Sequence, residues 1–494
     1  MTELLLGIDV GTSSSKGCLA EPDGRIVRTA EVMHTTSMPR PGWFEHDPLG
    51  VWWHDLLVLC SELLIPEQRR PVAVCVSGIG PCLLPATANG EPLRPAILYG
   101  IDIRATAEIE ELNGRFGSQR ILERAGSPLT SQAIGPKLLW LRHHEPDVYA
   151  RTRRFFMASS YLVHSLTAEY VLDHHSASQC DPLYDLAATA WAGDWVSEVA
   201  PELEFPRLLW PAEVAGHVTP AASARTGIPA GTPVMAGTID AWAEAFSVGV
   251  EQPGQLMLMY GTTMFLVRVV DSASPDRRLW LTTGAVPGTL TIAAGMATSG
   301  ALTAWFRDLT GATYADLVAA AEAAPRGSDG LVVLPYFAGE RTPLFDPHAR
   351  GVVLGLTLRH GRGHLYRALL EATGYAVRHN LETIAERAGP PVRIAAVGGG
   401  TRGGLWTQIV SDVCGIEQDI HTHSIGASYG DARLAGIGCG FTSPATSWNP
   451  VAERVVPDRS AREVYDAFYA IYRDLYQDTV GLAHRLADLQ QPTG

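Results

Sequence analysis

The amino-acid sequence predicts an α/β fold with two large domains. Short apolar runs that fit buried strands alternate with longer helical patterns along the 494 residues. A strand, a small turn containing Gly and Thr, and a second strand occur near the start of each half, which indicates a domain duplication. Gly249 and then Pro253-Gly254 mark a boundary between the halves. We therefore predict domains over residues 1–248 and 249–494.

The first half opens with three strands of an antiparallel meander. Apolar residues 4–10 run into Gly11, which is typical of a buried strand that ends in a turn. Residues 16–20 and 25–29 supply the next two strands, on either side of a Pro-Asp-Gly turn. The remaining pattern of this half predicts strands at 72–77 and 234–237 and helices at 137–144, 159–168, 183–190 and 241–246.

The second half repeats the arrangement of strand, Gly-Thr turn and strand, and it ends in helices. Residues 255–260 and 264–270 are predicted strands around Gly261-Thr262-Thr263. The pattern further predicts a strand at 393–397, a glycine-rich loop at 398–404 and helices at 363–387, 405–413 and 461–489.

Composition and charge exclude several classes of protein. The net charge is −14 and no basic run interrupts it, which argues against a nucleic-acid partner. Seven scattered cysteines form no C-x-x-C pair, so neither a zinc ribbon nor a redox motif is expected. The short apolar start carries Glu3 and is no signal peptide, and no apolar stretch has the length of a membrane span. We expect a cytoplasmic protein without a membrane partner.

The first candidate site is the hairpin turn that follows Asp9. Backbone N–H groups at Gly11 and the hydroxyl of Thr12 suit phosphate oxygens, and Lys16 adds a positive charge. Asp9, at the end of a buried strand, suits Mg²⁺ held through water. The alternative is an ordinary hairpin whose hydroxyls bond to their own backbone.

The second candidate site is Asp240, which stands between a predicted strand and a predicted helix. A carboxylate there is placed to accept the proton of a substrate hydroxyl, as a general base does. Asp is also a favoured N-cap residue, and the two roles are compatible.

The third candidate site is the run of glycines at 398–404. Glycines let a backbone approach a nucleotide closely. Gly398, Gly400 and Gly403 also satisfy G-x-G-x-x-G, with Asp419 near the position of a ribose-binding acid, so a dinucleotide site and a plain strand-to-helix connection remain alternatives. No G-x-x-x-x-G-K-[ST] occurs, which excludes P-loop chemistry, and the protein-kinase motifs are missing.

Several segments in the same order resemble the FGGY family of carbohydrate kinases, and most of all its xylulokinases. The segments are GIDVGTSSSKG at 7–17, PGWFEHDP at 41–48, LRPAILYGID at 93–102, AGTIDAWAEAFSVG at 236–249, YGTTMFL at 260–266, GERTPLFDPHARGVVLGLT at 339–357 and AVGGGTRGGLWTQIVSDVCG at 396–415.

The resemblance implies two actin-like (ribonuclease H-like) domains, with ATP and the sugar in a cleft between them. It implies transfer of the γ-phosphoryl group to a hydroxyl of a small sugar, such as a ketopentose, with Asp240 as catalytic base. The residues implied to bind Mg²⁺ are Asp9 and Asp240, and those implied to bind ATP are Gly11, Thr12, Lys16, Gly261, Thr262, Gly300, Gly399, Gly400 and Thr401. A homodimer is a further expectation from the family.

The residues implied to bind the sugar are Gly80, Pro81, Asp102 and Asp240. The chain departs from the xylulokinases around this site. Gly80-Pro81 stands where those kinases have a Met-His pair, so we expect a roomier, less polar wall. The alternative is that Pro81 only stiffens its loop. Ala241 replaces an Asn, and the loop ending at Asp102 is one residue longer.

Three other functions remain open from the sequence. The first is a non-catalytic, sugar-responsive binding protein on the same fold. The second is a kinase for a different ketose or a polyol. The third is an actin-like ATPase with a protein partner, which would hydrolyse ATP without a sugar.

Overall fold

The computed structural model describes residues 3–65, 67 and 69–490. They form two compact units. The first contains the described residues of 1–252, 271–291 and 425–450, and the second contains those of 253–270, 292–424 and 451–494. None of the helices built from the described residues combines the length and the apolar character that a membrane crossing needs.

Up to residue 252 the elements are, in order, β1 (Leu4–Val10), β2 (Ser14–Ala20), β3 (Ile26–Met33), β4 (Glu45–His46), a short helix (Pro48–Trp53), α1 (His54–Leu64), β5 (Pro71–Gly78), β6 (Leu84–Ala86), β7 (Ala96–Ile97), α2 (Thr106–Leu112), a short helix (Asn113–Gly117), α3 (Ser118–Ala125), α4 (Ile134–His144), α5 (Pro146–Arg151), β8 (Arg154–Phe156), α6 (Ala158–Thr167), β9 (Val171–Asp173), α7 (His174–Ala177), β10 (Tyr184–Asp185), β11 (Ala190–Trp191), α8 (Gly193–Val199), β12 (Arg207–Leu209), β13 (Val214–His217), α9 (Pro220–Thr226), β14 (Pro233–Met235), β15 (Thr238–Ile239) and α10 (Asp240–Ser247).

The later elements are β16 (Gln255–Tyr260), β17 (Met264–Val270), β18 (Trp280–Thr283), β19 (Leu290–Met296), α11 (Gly300–Thr310), α12 (Tyr314–Glu322), β20 (Val332–Leu334), β21 (Val352–Leu354), α13 (Arg362–Ala388), β22 (Arg393–Val397), a short helix (Gly399–Thr401), α14 (Leu405–Cys414), β23 (Gln418–His421), α15 (Ala427–Gly438), β24 (Val451–Val455), a short helix (Arg459–Ala461) and α16 (Arg462–Leu489).

The first unit is built on a sheet with the order β3-β2-β1-β5-β14-β13. Strand β1 lies in the middle, antiparallel to β2 and parallel to β5, and all seven of its residues are buried. Burial on both faces explains why the strand reads as a continuous apolar run in the sequence. The short strand β15 also pairs with β5 and leads directly into α10.

The second unit repeats this arrangement with β19-β17-β16-β22-β23-β24. Strand β16 is antiparallel to β17 and parallel to β22, as β1 is to β2 and β5. The predicted α/β fold and the duplication of the strand–turn–strand device are confirmed. The boundary between residues 248 and 249 stays a prediction.

The predicted helix at 183–190 is wrong, because these residues belong to the two-stranded hairpin of β10 and β11. Tyr184 and Trp191 face each other across it with ring centroids 6.0 Å apart, and Tyr184 is fully buried. Thr189 has a φ of +52°, which a helix does not allow. Packing of the aromatic pair outweighs the helical preference of the alanines.

Gly237 shows how closely the chain approaches β5 just before α10. Its φ is +70°, and a Cβ there would lie 1.9 Å from the Val76 carbonyl oxygen. Gly231 has a similar φ of +85° but no atom within 4 Å of a Cβ. The two positions therefore share the backbone conformation and differ in the available space.

We predict that Gly231→Ala lowers the free energy of unfolding by about 1–2 kcal/mol, the usual cost of a left-handed residue. Gly237→Ala should lower it by roughly 3 kcal/mol or more, because the new methyl group also overlaps the Val76 carbonyl. Urea denaturation of both variants measures the difference. Equal destabilisation would show that the contact with β5 does not matter.

Candidate active site

Asp9 is the next-to-last residue of the central strand β1. It pairs with Lys16 on one side and with Ser77 on the other. The Ser77 hydroxyl lies 3.1 Å from Asp9 Oδ1. Burial raises the pKa of Asp9 to about 6, against the hydrogen bond from Ser77 and the positive charge of Lys16, which lower it. Asp9 is thus a buried acid at the end of a strand, just before a turn.

The turn that follows is held by side chains from neighbouring segments. The Thr36 hydroxyl donates to the Thr12 carbonyl at 2.7 Å, and a ring nitrogen of His34 lies 3.1 Å from the Gly11 carbonyl. The Thr12 hydroxyl lies 3.1 Å from the hydroxyl of Tyr99, in the loop that ends at Asp102. The predicted phosphate turn is therefore connected to the predicted sugar loop.

Asp240 is the first residue of α10, and Ile239 takes the N-cap position. The Asp240 carboxylate accepts the N–H of Ala241 at 2.7 Å. Burial, and next the negative charge of Asp9, raise the pKa of Asp240 well above its usual value. Glu244, one turn further along α10, has its pKa raised to about 7 by burial and by Asp9. The charges of the three carboxyl groups therefore act on one another.

These acids can be tested for their fit to Mg²⁺. Within residues 3–65, 67 and 69–490, no three His, Cys, Asp or Glu side chains come together closely enough to enclose a metal ion. Mg²⁺ is usually held by one or two carboxylates together with water and phosphate oxygens. The buried Asp9 and the half-buried Asp240, whose negative charges repel each other, fit that kind of site.

Ile239 packs against the loop of Gly80. A Cβ at Gly80 would lie 2.7 Å from Cγ1 of Ile239, the buried residue that precedes Asp240. An isoleucine side chain therefore occupies the space next to Gly80. The roomier, less polar sugar wall stays a prediction. Sequence reasoning missed Ile239 because nothing local shows that it meets the loop of Gly80 and Pro81.

Asp102 is fully engaged within the protein. Its carboxylate binds Arg104 through two oxygens, at 2.9 and 2.7 Å, and accepts the N–H of Phe44 at 2.7 Å. Two further residues hold the same loop: the Ser131 hydroxyl donates to the Gly100 carbonyl, and the Gln132 side-chain oxygen accepts the Gly100 N–H, both at 2.8 Å. Sequence reasoning missed this pair, whose only signal is its place just before α4.

The second unit contains a cavity of about 660 Å³. That volume lies in the usual range for ligand sites. The predicted nucleotide residues that line it are Gly261, Thr262, Gly300, Gly399 and Gly400. Thr401 lies outside the lining and donates its hydroxyl to the Gly398 carbonyl at 2.8 Å. The remaining lining residues are Tyr260, Ala301, Thr303, Ala304, Tyr314, Val318, Tyr366, Leu370, Arg402, Gly403, Leu405 and Trp406.

The turn after β16 sits directly against the start of α11. Gly300 N–H donates to the Gly261 carbonyl and Ala301 N–H to the Thr262 carbonyl, both at 3.0 Å. A Cβ at Gly300 would lie 2.5 Å from the Gly261 carbonyl oxygen. This close approach explains why a glycine begins the helix, and it leaves the Thr262 side chain exposed toward the cavity.

The glycine-rich loop borders the same cavity, and aromatic residues face it. Tyr314, Tyr366 and Trp406 were not predicted from the sequence, since they come from three different helices. Asp419 binds Arg393 at 3.1 Å and Arg454 at 2.7 Å. It lies outside the cavity lining, so the dinucleotide alternative loses its ribose-binding acid.

The chain is similar to known sugar kinases over nearly its whole length. A xylulose kinase of Escherichia coli strain K12 is 30% identical over 97% of this chain and 100% of its own length. A xylulose kinase of Klebsiella pneumoniae is 30% identical over 88% of this chain and 90% of its own length. The crystal structure of xylulose kinase from Rhodospirillum rubrum superposes with a TM-score of 0.90 at 33% identity, over 98% of this chain and 100% of that one.

Each half of the chain also matches a domain of one family of sugar kinases. The N-terminal domain of the FGGY family of carbohydrate kinases matches residues 4–247, and its C-terminal domain matches residues 256–439. The two-domain, actin-like (ribonuclease H-like) fold implied by the sequence is confirmed by these matches and by the superposed kinase. The chain belongs to the FGGY family of carbohydrate kinases.

Proposed function

We propose that this ATP-dependent sugar kinase transfers the γ-phosphoryl group of ATP to a hydroxyl of a ketopentose such as xylulose, with Asp240 as general base. The observation that carries the proposal is the position of Asp240, a half-buried acid at a strand end whose pKa is raised by desolvation and by the charge of Asp9. The ketopentose is supported by the relatives named xylulose kinases.

Asp240 accepts the proton of the attacking hydroxyl in this proposal. A general base works best when its pKa lies near the working pH, and burial together with Asp9 raises the pKa of Asp240 in that direction. Thr12 and Lys16 offer a hydroxyl and a positive charge to the phosphates. Gly11 shapes their turn, since its N–H donates to the Ser14 carbonyl at 2.9 Å. Asp9 and Asp240 would hold Mg²⁺, whose charge offsets that of the phosphates.

The cavity of the second unit is the proposed ATP site. Thr262 and the Gly261 turn face the phosphates, while Gly399, Gly400 and the aromatic side chains contact the adenosine. Thr401 supports that loop through its bond to Gly398. Residues 1–248 would then bind the sugar and residues 249–494 the nucleotide. A cytoplasmic location fits the need for ATP and stays a prediction.

The sugar contacts follow from the loop geometry of the first unit. Gly80 and Pro81 supply an apolar wall completed by Ile239. Asp102 acts by holding its loop through Arg104, because both its carboxylate oxygens are already bonded.

Asp240→Asn should lower kcat by about 10²-fold or more, the usual scale of general-base catalysis. Affinity for ADP without Mg²⁺, measured by calorimetry, should stay near the wild-type value, because the proposed partners of Asp240 are the sugar hydroxyl and the metal. A kcat within a few-fold of wild type would contradict the role of Asp240.

Thr262→Val should weaken ATP binding by about tenfold, since a hydroxyl that bonds a phosphate contributes roughly 1–3 kcal/mol. Thr263→Val is the matched control, because Thr263 shares the turn but does not line the cavity. Calorimetry with ATP measures both. Equal affinities of the two variants would place the phosphates elsewhere.

Among ketopentoses, ketohexoses, their deoxy forms and tetritols, kcat/KM should be highest for a ketopentose, because the relatives are named xylulose kinases. The ratio of kcat/KM values between two sugars measures the specificity. A coupled ADP-release assay measures each sugar against a reaction without sugar. A tetritol or ketohexose that exceeds every ketopentose by roughly tenfold would reassign the substrate. ADP release that no sugar stimulates would instead favour an ATPase.

A further inference from the structure

A buried carboxyl group on α15, that of Asp431, is joined to Asp9 through a single hydroxyl. Ser77 Oγ lies 2.6 Å from Asp431 Oδ2 and 3.1 Å from Asp9 Oδ1. Asp431 and Ser77 have no exposed surface, and all three residues belong to the first unit. We call the side chains of Asp9, Ser77 and Asp431 the aspartate relay.

Backbone packing fixes the position of Asp431. A Cβ at Gly7 in β1 would lie 1.9 Å from the Ser428 carbonyl oxygen, and a Cβ at Gly430 would lie 1.7 Å from the Ala243 carbonyl oxygen. Helix α15 is therefore wedged at backbone distance between the strand that carries Asp9 and the helix that begins with Asp240. Such close packing leaves the Asp431 side chain little freedom to move.

Counting protons shows how the relay is connected. A serine hydroxyl has one proton, so it donates to only one of two carboxyl groups. The other contact needs a proton from the acid itself. Asp431 is the better holder of that proton, because it has no exposed surface, whereas Asp9 keeps some exposed surface at the end of its strand. Burial raises the pKa of Asp431 well above its usual value, in agreement.

Both hydrogen bonds of the relay are therefore donated in the direction from Asp431 to Asp9. The protonated Asp431 donates to Ser77 Oγ, and the Ser77 hydroxyl donates to Asp9 Oδ1. A hydroxyl held on one side by a donor can no longer turn away from the carboxylate on its other side.

We propose that Asp431 is a positioning residue that acts through Ser77 to orient the Asp9 carboxylate toward the metal–nucleotide. This inference rests on the proposed role of Asp9 in holding Mg²⁺. It assigns Asp431 no contact with substrate.

The test measures binding of Mg·ADP by calorimetry, together with kcat and KM for MgATP. Asp431→Leu, which removes the donor, should weaken Mg·ADP binding about tenfold and raise KM more than it lowers kcat. Ser77→Ala should have the same effect, and the double variant should be no worse than either single one. Asp431→Asn should restore most of the affinity, because its amide N–H still donates to Ser77.

Four results would overturn the inference. Asp431→Leu with a lowered Tm but normal Mg·ADP affinity would make Asp431 purely structural. An Asn variant no better than the Leu variant would show that donation to Ser77 is irrelevant, and additive effects of the Ser77 and Asp431 variants would show that they act separately. If Asp431→Leu does not fold, Ser77→Ala with normal affinity still decides against the relay.

Asp9→Asn separates this inference from the proposal on which it rests. Unchanged Mg·ADP affinity in Asp9→Asn would remove Asp9 from the metal site and the relay with it. Weakened affinity in Asp9→Asn with normal affinity in Ser77→Ala would refute the relay alone.

Discussion

Buried negative charge is the constraint around which the first unit is organised. Asp9 and Asp240 lie at the ends of strands within an apolar sheet, and the negative charge of Asp9 disfavours ionisation of Asp240. Buried carboxylates cost free energy unless hydrogen bonds or positive charge compensate them. Ser77 and Lys16 supply part of that compensation to Asp9. The remaining need for positive charge would make this edge of the sheet receptive to the proposed metal–phosphate ligand.

The two hairpins share a topology but not a chemistry. Asp9 lies two residues before the glycine of the first turn, opposite Lys16, and Met259 has the equivalent place before Gly261, opposite Phe265. The first hairpin therefore carries charged side chains beside its turn, whereas the second places a hydroxyl turn beside a cavity whose partly aromatic lining contains one charged side chain, Arg402. The two units thus share a scaffold, and the side chains at one strand end distinguish the proposed reacting site from the proposed nucleotide site.

Much of the core could be predicted because it depends on local patterns. Strands β1 and β16 read as apolar runs since both of their faces are buried, and their turns are marked by glycine and threonine. The return of residues 425–450 to the first unit could not be predicted, because nothing near them in the sequence reports contacts more than 150 residues away. The hairpin at Tyr184 was missed for the same reason, since its aromatic pairing is decided by the surrounding core.

Residues of the candidate site could be predicted where they stand at the end of a buried strand. Its turns, Asp9 and Asp240 stand where apolar runs stop, so the sequence shows them. Ile239 and Asp431 stand inside ordinary apolar or helical patterns, and only tertiary packing brings them to Gly80 and Ser77. A reacting group must face its ligand and so interrupts the local pattern, whereas a residue that shapes or orients that group can remain inside the pattern. Sequence alone therefore finds the acids expected to meet the ligand more readily than the side chains that hold them in place.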